Sequence, residues 1–339
     1  MSTRGEGRIV RPSPLLLRVP VMSGDRHVYP VTVHQCHSDT DSREQENVVE
    51  EQAVPEFDLD AVPERDRERV AALIPDPRIA EAYKHRTVHG VEDFDLFDMA
   101  VEERENIILA GPTGSSKTSA FRAYAAARGL PFALVECNAA MDPGTVLGRT
   151  AIDSEGGVSW IDGDFTLVVR YGGVALIDEV NLAHPRITAG FHQLLAVTRA
   201  MGLPEAGETV KAARWLLLGA AFNPRYQGTI RLNEAFANRF PIALDWGYER
   251  AVEEQLIRSG RLLDMADGIR SLAEIRTPVS TNALMEFERH ADRLGMEFAS
   301  GLLVNRFAPE ERNPVSRALE ANAEAIEREL FDEESEVEA

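Results

Sequence analysis

Cysteine is nearly absent from this chain: Cys36 and Cys137 are the only two in 339 residues. Two thiols cannot build a disulfide framework, which sets aside the small stapled secreted domains and fits a reducing cytoplasm. Long apolar runs are missing too, and no stretch approaches the roughly 18 residues of a membrane-spanning helix. The first twenty residues are interrupted by Pro12, Pro14 and Pro20 and lack an apolar core with a small-residue cleavage site, so no signal peptide is expected. Lysine is scarce: Lys84, Lys117 and Lys211 stand against 33 arginines, so a lysine at a chemically telling position is not background. Aromatic residues make up 7%, and 56 acidic residues against 36 basic ones leave a net charge of −20. Such a surface repels phosphate backbones, which argues against a nucleic-acid partner unless one channel gathers the arginines.

What is present divides into three stretches. Residues 1–66 begin with short β-like segments at Leu15–Val21 and His27–Val33. They run on into an acidic stretch too poor in apolar residues to offset its own ordering, and it reads as an arm or linker. His34, Cys36 and His37 lie close together there, but no second ligand pair follows at zinc-site spacing, and no metal is expected. From about residue 67 to 246, short apolar strands alternate with helical patterns, the signature of a parallel sheet with crossover helices. The expected strands are Asn106–Ala110, Phe132–Cys137, Val174–Asp178, Trp215–Phe222 and Phe240–Leu244, each nearly continuous in apolar residues and so buried on both faces. Beyond residue 247 the strand signals stop. Val252–Leu263, Asn282–Leu294 and Asn313–Leu330 have helical spacing, which predicts a small all-helical domain over 247–330 and an acidic tail at 331–339.

The chemistry concentrates at the strand ends. Gly111, Pro112, Thr113, Gly114, Ser115, Ser116, Lys117 and Thr118 follow the first strand and open a helix; they match G-x-x-x-x-G-K-[ST] except that Ser116 replaces the second glycine. Backbone N–H groups in such a loop form an anion nest at a helix N-terminus. The Lys117 ammonium would reach the β- and γ-phosphates of a nucleotide, and the Thr118 hydroxyl a Mg²⁺ ion. Asp178 and Glu179 end the third strand, where an open α/β sheet presents its ligands. Asp178 would complete the Mg²⁺ shell and Glu179 would polarise the attacking water; read alone, the pair could equally cap a helix. Asn223 ends the fourth strand, positioned either to hydrogen-bond that water or simply to start a turn with Pro224. Arg239 precedes the fifth strand, as a surface arginine or as a finger toward a neighbouring subunit's nucleotide.

In this order the elements resemble the AAA+ ATPases of the MoxR/CbbQ/NirQ-like, dynein-related branch, over about residues 80–310. The likeness extends to Trp160–Thr166 leading into Gly172-Gly173, to Asp178-Glu179-Val180-Asn181-Leu182-Ala183, and to Gly202-Leu203-Pro204-Glu205 with Gly207-Glu208. It continues through Asn223-Pro224 and Leu232–Phe240. It implies a P-loop α/β core with a five-stranded parallel sheet of order 5-1-4-3-2, a C-terminal helical lid, and binding and hydrolysis of ATP with Mg²⁺. It further implies a homo-oligomer, usually a six-membered ring with Arg239 donated in trans, acting on a client protein together with a separate von Willebrand A-type partner. Two other functions share the same ATP site: a nucleic-acid translocase, and a nucleotide-dependent scaffold with little turnover.

The resemblance also marks departures. A small residue at position 116 is common in the branch. Asn282, in Ser280-Thr281-Asn282-Ala283, stands where the lid usually offers an arginine to the nucleotide, and Arg276 is the nearest basic substitute in sequence. Trp160 and the stretch Met201-Gly202-Leu203 are candidate client contacts, although Trp160 could equally pack against the sheet.

Overall fold

A computed structural model describes residues 54, 56–138, 141, 146–152, 156–183, 190–224, 232 and 234–331. The β-like stretches of the first 33 residues, His34, Cys36 and His37, and residues 332–339 of the acidic tail lie outside the described residues. The chain divides into two compact units, Met1–Glu50 and Glu51–Ala339, and all described residues belong to the second.

Numbered in chain order among the described residues, α1 (Glu64–Ala72) and α2 (Arg78–Ala82) lead into the small hairpin β1 (Thr87–Val88) and β2 (Val91–Glu92). Next come α3 (Asp93–Glu103), β3 (Asn106–Ala110), α4 (Lys117–Ala127) and β4 (Phe132–Glu136). The antiparallel hairpin β5 (Gly148–Ile152) and β6 (Val158–Asp162) precedes α5 (Asp164–Tyr171) and β7 (Gly173–Asp178). A second antiparallel hairpin, β8 (Ala200–Leu203) and β9 (Glu208–Lys211), precedes β10 (Leu216–Phe222), α6 (Glu234–Ala237) and β11 (Ile242–Asp245).

Strands β3, β4, β7, β10 and β11 make one parallel sheet in the order β11-β3-β10-β7-β4. Counted by themselves along the chain they run 5-1-4-3-2, the order the resemblance implies. Because side chains alternate across a strand, neighbouring residues feed opposite cores. Ile108, Ala175, Ile177, Leu218 and Ala220 face one layer, with α5, Phe191, Leu194 and the β8–β9 hairpin. Ile107, Leu109, Val174, Leu176 and Leu217 face the other, with α3, α4 and the fully buried Trp246. This two-sided burial explains why the strands read as continuous apolar runs rather than alternating ones. The end of the acidic stretch joins this body as well, with Val62 packing on Val70 and Leu167.

The helical region has its own core, built on Leu262, Ala266, Ile269, Leu284, Phe287, Val315 and Ile326. It contains α7 (Arg250–Glu253), α8 (Gly260–Ser271), α9 (Thr281–Leu294), α10 (Met296–Val304) and α11 (Arg312–Phe331). The single helix expected over Val252–Leu263 is therefore two. The break is made by Ser259, whose hydroxyl accepts from the Leu262 N–H at 3.0 Å and whose own N–H donates to the buried Glu288 carboxylate at 2.9 Å. An N-cap of this kind is worth about 1 kcal/mol and starts a helix where periodicity alone would run on. The client contacts expected at Met201 and Leu203 are overturned: each is 1% exposed, because alternate residues of β8 turn into the core and only Gly202 faces out. Trp160 packs against the same core, its indole N–H donating to Asp162 at 2.8 Å. Among the described residues no helix is long and apolar enough to cross a membrane.

Candidate functional site

The loop 111–118 connects the end of β3 to the start of α4 and is held by its neighbours more tightly than its sequence suggests. A Cβ built on Gly111 would lie 1.9 Å from the Trp246 carbonyl oxygen, so only glycine lets the chain that leaves β11 pass there. The Trp246 N–H in turn donates to the Ala110 carbonyl at 2.6 Å. Gly114 has φ +75°, and a Cβ on it would fall 2.6 Å from the Ser280 Cβ at the start of α9. Ser116 adopts the left-handed conformation (φ 65°, ψ 25°) as the residue before α4. The second glycine of the motif is thus asked for by backbone conformation, and serine meets the demand at a cost of roughly 1–2 kcal/mol.

Inside this frame the polar groups converge. Lys117 is 6% exposed, and its ammonium donates to the Gly111 and Pro112 carbonyls at 2.9 and 2.8 Å. Burial holds its pKa below the usual lysine value, while the nearby Glu179 and Asp178 charges oppose that shift. The Thr118 hydroxyl donates to Asp178, whose other carboxylate oxygen accepts from the Glu179 N–H at 2.8 Å. Thr118 and Asp178 are hard oxygen donors from two elements already in contact, a set that fits Mg²⁺.

Glu179 follows the last residue of β7 with φ 49°, a conformation a glutamate seldom holds without surrounding constraint. One of its carboxylate oxygens is buried and has no hydrogen-bond partner among the described residues. Burial raises its pKa, the Asp178 charge raises it further, and Lys117 pulls it back down. Asn223 is 5% exposed at the end of β10; its amide donates to the Thr113 hydroxyl at 3.1 Å, and its carbonyl accepts from the Asn181 amide at 2.9 Å. The strand ends thus bring Lys117, Thr118, Asp178, Glu179 and Asn223 together around one loop.

Arg239 is not among them. Its carbonyl accepts from the Asn106 side chain at 2.7 Å, at the start of β3, whereas the loop begins at the other end of that strand. Four steps of a parallel strand span about 13 Å. Half-buried, the Arg239 side chain makes no ion pair among the described residues. Its backbone is held by a network the sequence did not announce. Asn106 also donates to the Leu195 carbonyl at 3.0 Å and faces Arg199, a 5%-exposed arginine with φ 41°. Arg199 donates to the carbonyls of Arg104 and Leu216 at 2.6 and 3.0 Å. Burial, with Arg104 and Arg214 nearby, lowers its pKa to about 10.

Sequence reasoning also missed the flank of the loop. The Arg86 guanidinium stacks 4.2 Å from the Trp246 ring centroid and donates to the Ser115 carbonyl at 3.2 Å and the Gly247 carbonyl at 3.1 Å. The Arg86 main-chain N–H donates to the fully buried Asp93, which also accepts from the Tyr83 hydroxyl at 2.7 Å and faces His85. Beside it opens a cavity of about 560 Å³ whose lining includes Ile79, Tyr83, Ala123, Val252 and Leu256, with Ser116 at its edge. Asn282 is exposed at the start of α9, and Arg276 is exposed, with its N–H donating to Glu311 at 2.6 Å.

Comparison with known proteins agrees with this geometry. Residues 106–240 match the model of the AAA domain (dynein-related subfamily). An uncharacterized protein of Staphylococcus haemolyticus is 37% identical over 142 residues, covering 41% of this chain and 54% of the relative. One of Staphylococcus epidermidis is 34% identical over 162 residues, covering 46% of this chain and 62% of the relative. The match therefore spans little more than half the length of these two relatives. The denitrification regulatory protein NirQ of Pseudomonas aeruginosa is 31% identical over 208 residues, covering 58% of this chain and 78% of NirQ. With the sheet order, the loop after the first strand and the paired carboxylates after the third, these likenesses lead to one family: the chain belongs to the AAA+ ATPases, in their dynein-related, MoxR/NirQ-like branch.

Proposed function

We propose that this chain binds ATP with Mg²⁺ at the loop 111–118, hydrolyses it, and works as a ring of identical subunits that remodels or activates a client protein. The observation that carries the reading is Glu179: a strained backbone aims a carboxylate with a buried, unpartnered oxygen beside Asp178 and Lys117. A hydrogen-bond acceptor kept without a partner is costly, and such sites cluster where chemistry needs a base.

The residues divide the work by position. Backbone N–H groups of the loop and the Lys117 ammonium receive the phosphates, and the lysine exchanges its two carbonyl partners for phosphate oxygens. Thr118 and Asp178 would hold Mg²⁺, which when bound supplies positive charge to the phosphate oxygens. Glu179 orients and polarises the attacking water as a carboxylate. Asn223, tied to Thr113 on the loop, is placed to hold that water or the terminal phosphate. The cavity beside Ser116 offers apolar walls for the base, with Val252 and Leu256 contributed by the helical region.

The ring is supported by Arg239. Its backbone lies at the start of β3, about a strand's length from the loop of its own chain, so a finger role requires a second copy. The client, a von Willebrand A-type partner and a cytoplasmic setting follow from the branch, and NirQ is itself named for regulation. Binding of a fluorescent ATP analogue tests the core of the proposal: Lys117→Ala should weaken it by roughly 100-fold or more, the cost of removing a buried charge partner. Unchanged affinity overturns the assignment of the loop.

A further inference from the structure

The helical region touches the loop at two points. The Tyr248 hydroxyl donates to the Thr113 carbonyl at 2.7 Å. Ser280, the N-cap of α9, lies against Gly114 closely enough to forbid any side chain there. Both contacts are gathered by one guanidinium. Arg270 of α8 stacks 4.0 Å from the Tyr248 ring centroid. It donates twice to the Val279 carbonyl, at 2.9 and 2.8 Å, one residue before Ser280. It also grips both oxygens of the buried Glu253 at 2.7 and 2.8 Å, and Glu253 accepts from the Thr281 hydroxyl at 2.7 Å.

An arginine fork with a bidentate carboxylate and a stacked ring has little freedom to adjust one contact without the others. A shift of the Thr113 carbonyl therefore reaches the start of α9 through two side chains, Tyr248 and Arg270. On its other side Thr113 receives the Asn223 amide, so this one loop residue stands between the strand end and the helices. Asn282 offers no charge to such a linkage.

We propose that Arg270, acting through Tyr248 and the Val279–Thr281 segment, is the positioning residue that couples occupancy of the loop 111–118 to the seating of α9. This rests on the nucleotide reading above. The pairing is part of the fold, yet its consequence is functional: the helical region senses the loop through a hydrogen bond to its main chain.

Hydrogen exchange of the full chain, with and without Mg·ATP, tests it alongside nucleotide affinity and turnover. In the wild type, ATP should slow exchange of the amides at 279–285 by roughly 5-fold or more, the range of ordinary site-to-site coupling. Tyr248→Phe keeps the ring under Arg270 and removes only the bond to Thr113. It should hold affinity within about 3-fold and melt as the wild type does, yet lose most of the ATP-induced protection and of turnover. Arg270→Lys keeps the charge without the fork and should behave the same way. Full ATP-induced protection in both variants overturns the proposal. If Arg270→Lys loosens the helices without ATP as well, Tyr248→Phe alone decides. A wild type that binds no ATP shows instead that the nucleotide reading has failed, and the coupling falls with it.

Discussion

The two ends of the central sheet handle buried charge in opposite ways. At the carboxyl end, Lys117 lies near Asp178 and Glu179, so the cation and the carboxylates offset one another. At the amino end, Arg199 is buried with two main-chain carbonyls and the Asn106 amide oxygen, and has no carboxylate partner among the described residues. Each end leaves a buried polar atom without a partner among the described residues, an oxygen on Glu179 at one and the Nε of Arg199 at the other. The amino end spends most of its hydrogen bonds on locking the strand starts and, through Asn106, the backbone of Arg239. One end sets its cation beside carboxylates, the other beside neutral oxygens that tie the strand starts together.

Arg239→Ala should cut turnover by roughly 10³-fold while leaving nucleotide affinity intact, if the locked end serves a neighbouring subunit's nucleotide. Mixing it with Lys117→Ala should restore some activity through hybrid interfaces, and mixed rings without rescue would remove the trans role. Arg199→Met should lower unfolding stability by about 1–3 kcal/mol, since three acceptors, two of them buried, lose their donor. A more stable variant in a denaturant titration would mean that the amino end tolerates an apolar filling as well as a charge.

Glu179 supplies a pH test. Its folded pKa is raised, so between 4.5 and that higher value the folded state binds the proton that the unfolded chain releases, and stability falls as pH rises through the window. The penalty is complete above the window and absent below it. Glu179→Gln should therefore raise the melting temperature at neutral pH, with the gain vanishing in acid. Wild-type turnover should fail on the acid side at a pH higher than an ordinary glutamate would set. The smallest expected effect is Ser116→Gly, a gain of about 1 kcal/mol from relieving a left-handed serine, read by thermal melting at unchanged affinity.

Much of the carboxyl end was legible in the sequence because its residues sit at fixed offsets from apolar strands. The loop 111–118 follows β3, Asp178 ends β7, and Asn223 follows β10. Their neighbourhood is a property of parallel topology, which places all strand ends of one kind on one edge. Arg199, Arg86, Tyr248 and Arg270 carried no such offset. Arg86 meets the Gly247 carbonyl 161 positions away, and only the fold supplies that proximity. In a chain of 33 arginines no single one stands out by composition. The exposed reading of Met201 and Leu203 failed for a related reason: a two-stranded hairpin hides one face, and which face is hidden depends on the body beneath it.

The meeting of Gly111 with Trp246 carries a mechanical consequence. The chain leaves the sheet for the helical region at the residue whose N–H is bound to Ala110 and whose carbonyl fills the place of a side chain on Gly111. The pivot between the two regions is thus pinned to the first residue of the loop, with no slack linker between them. A side chain at position 111 would therefore have to displace that junction along with the loop.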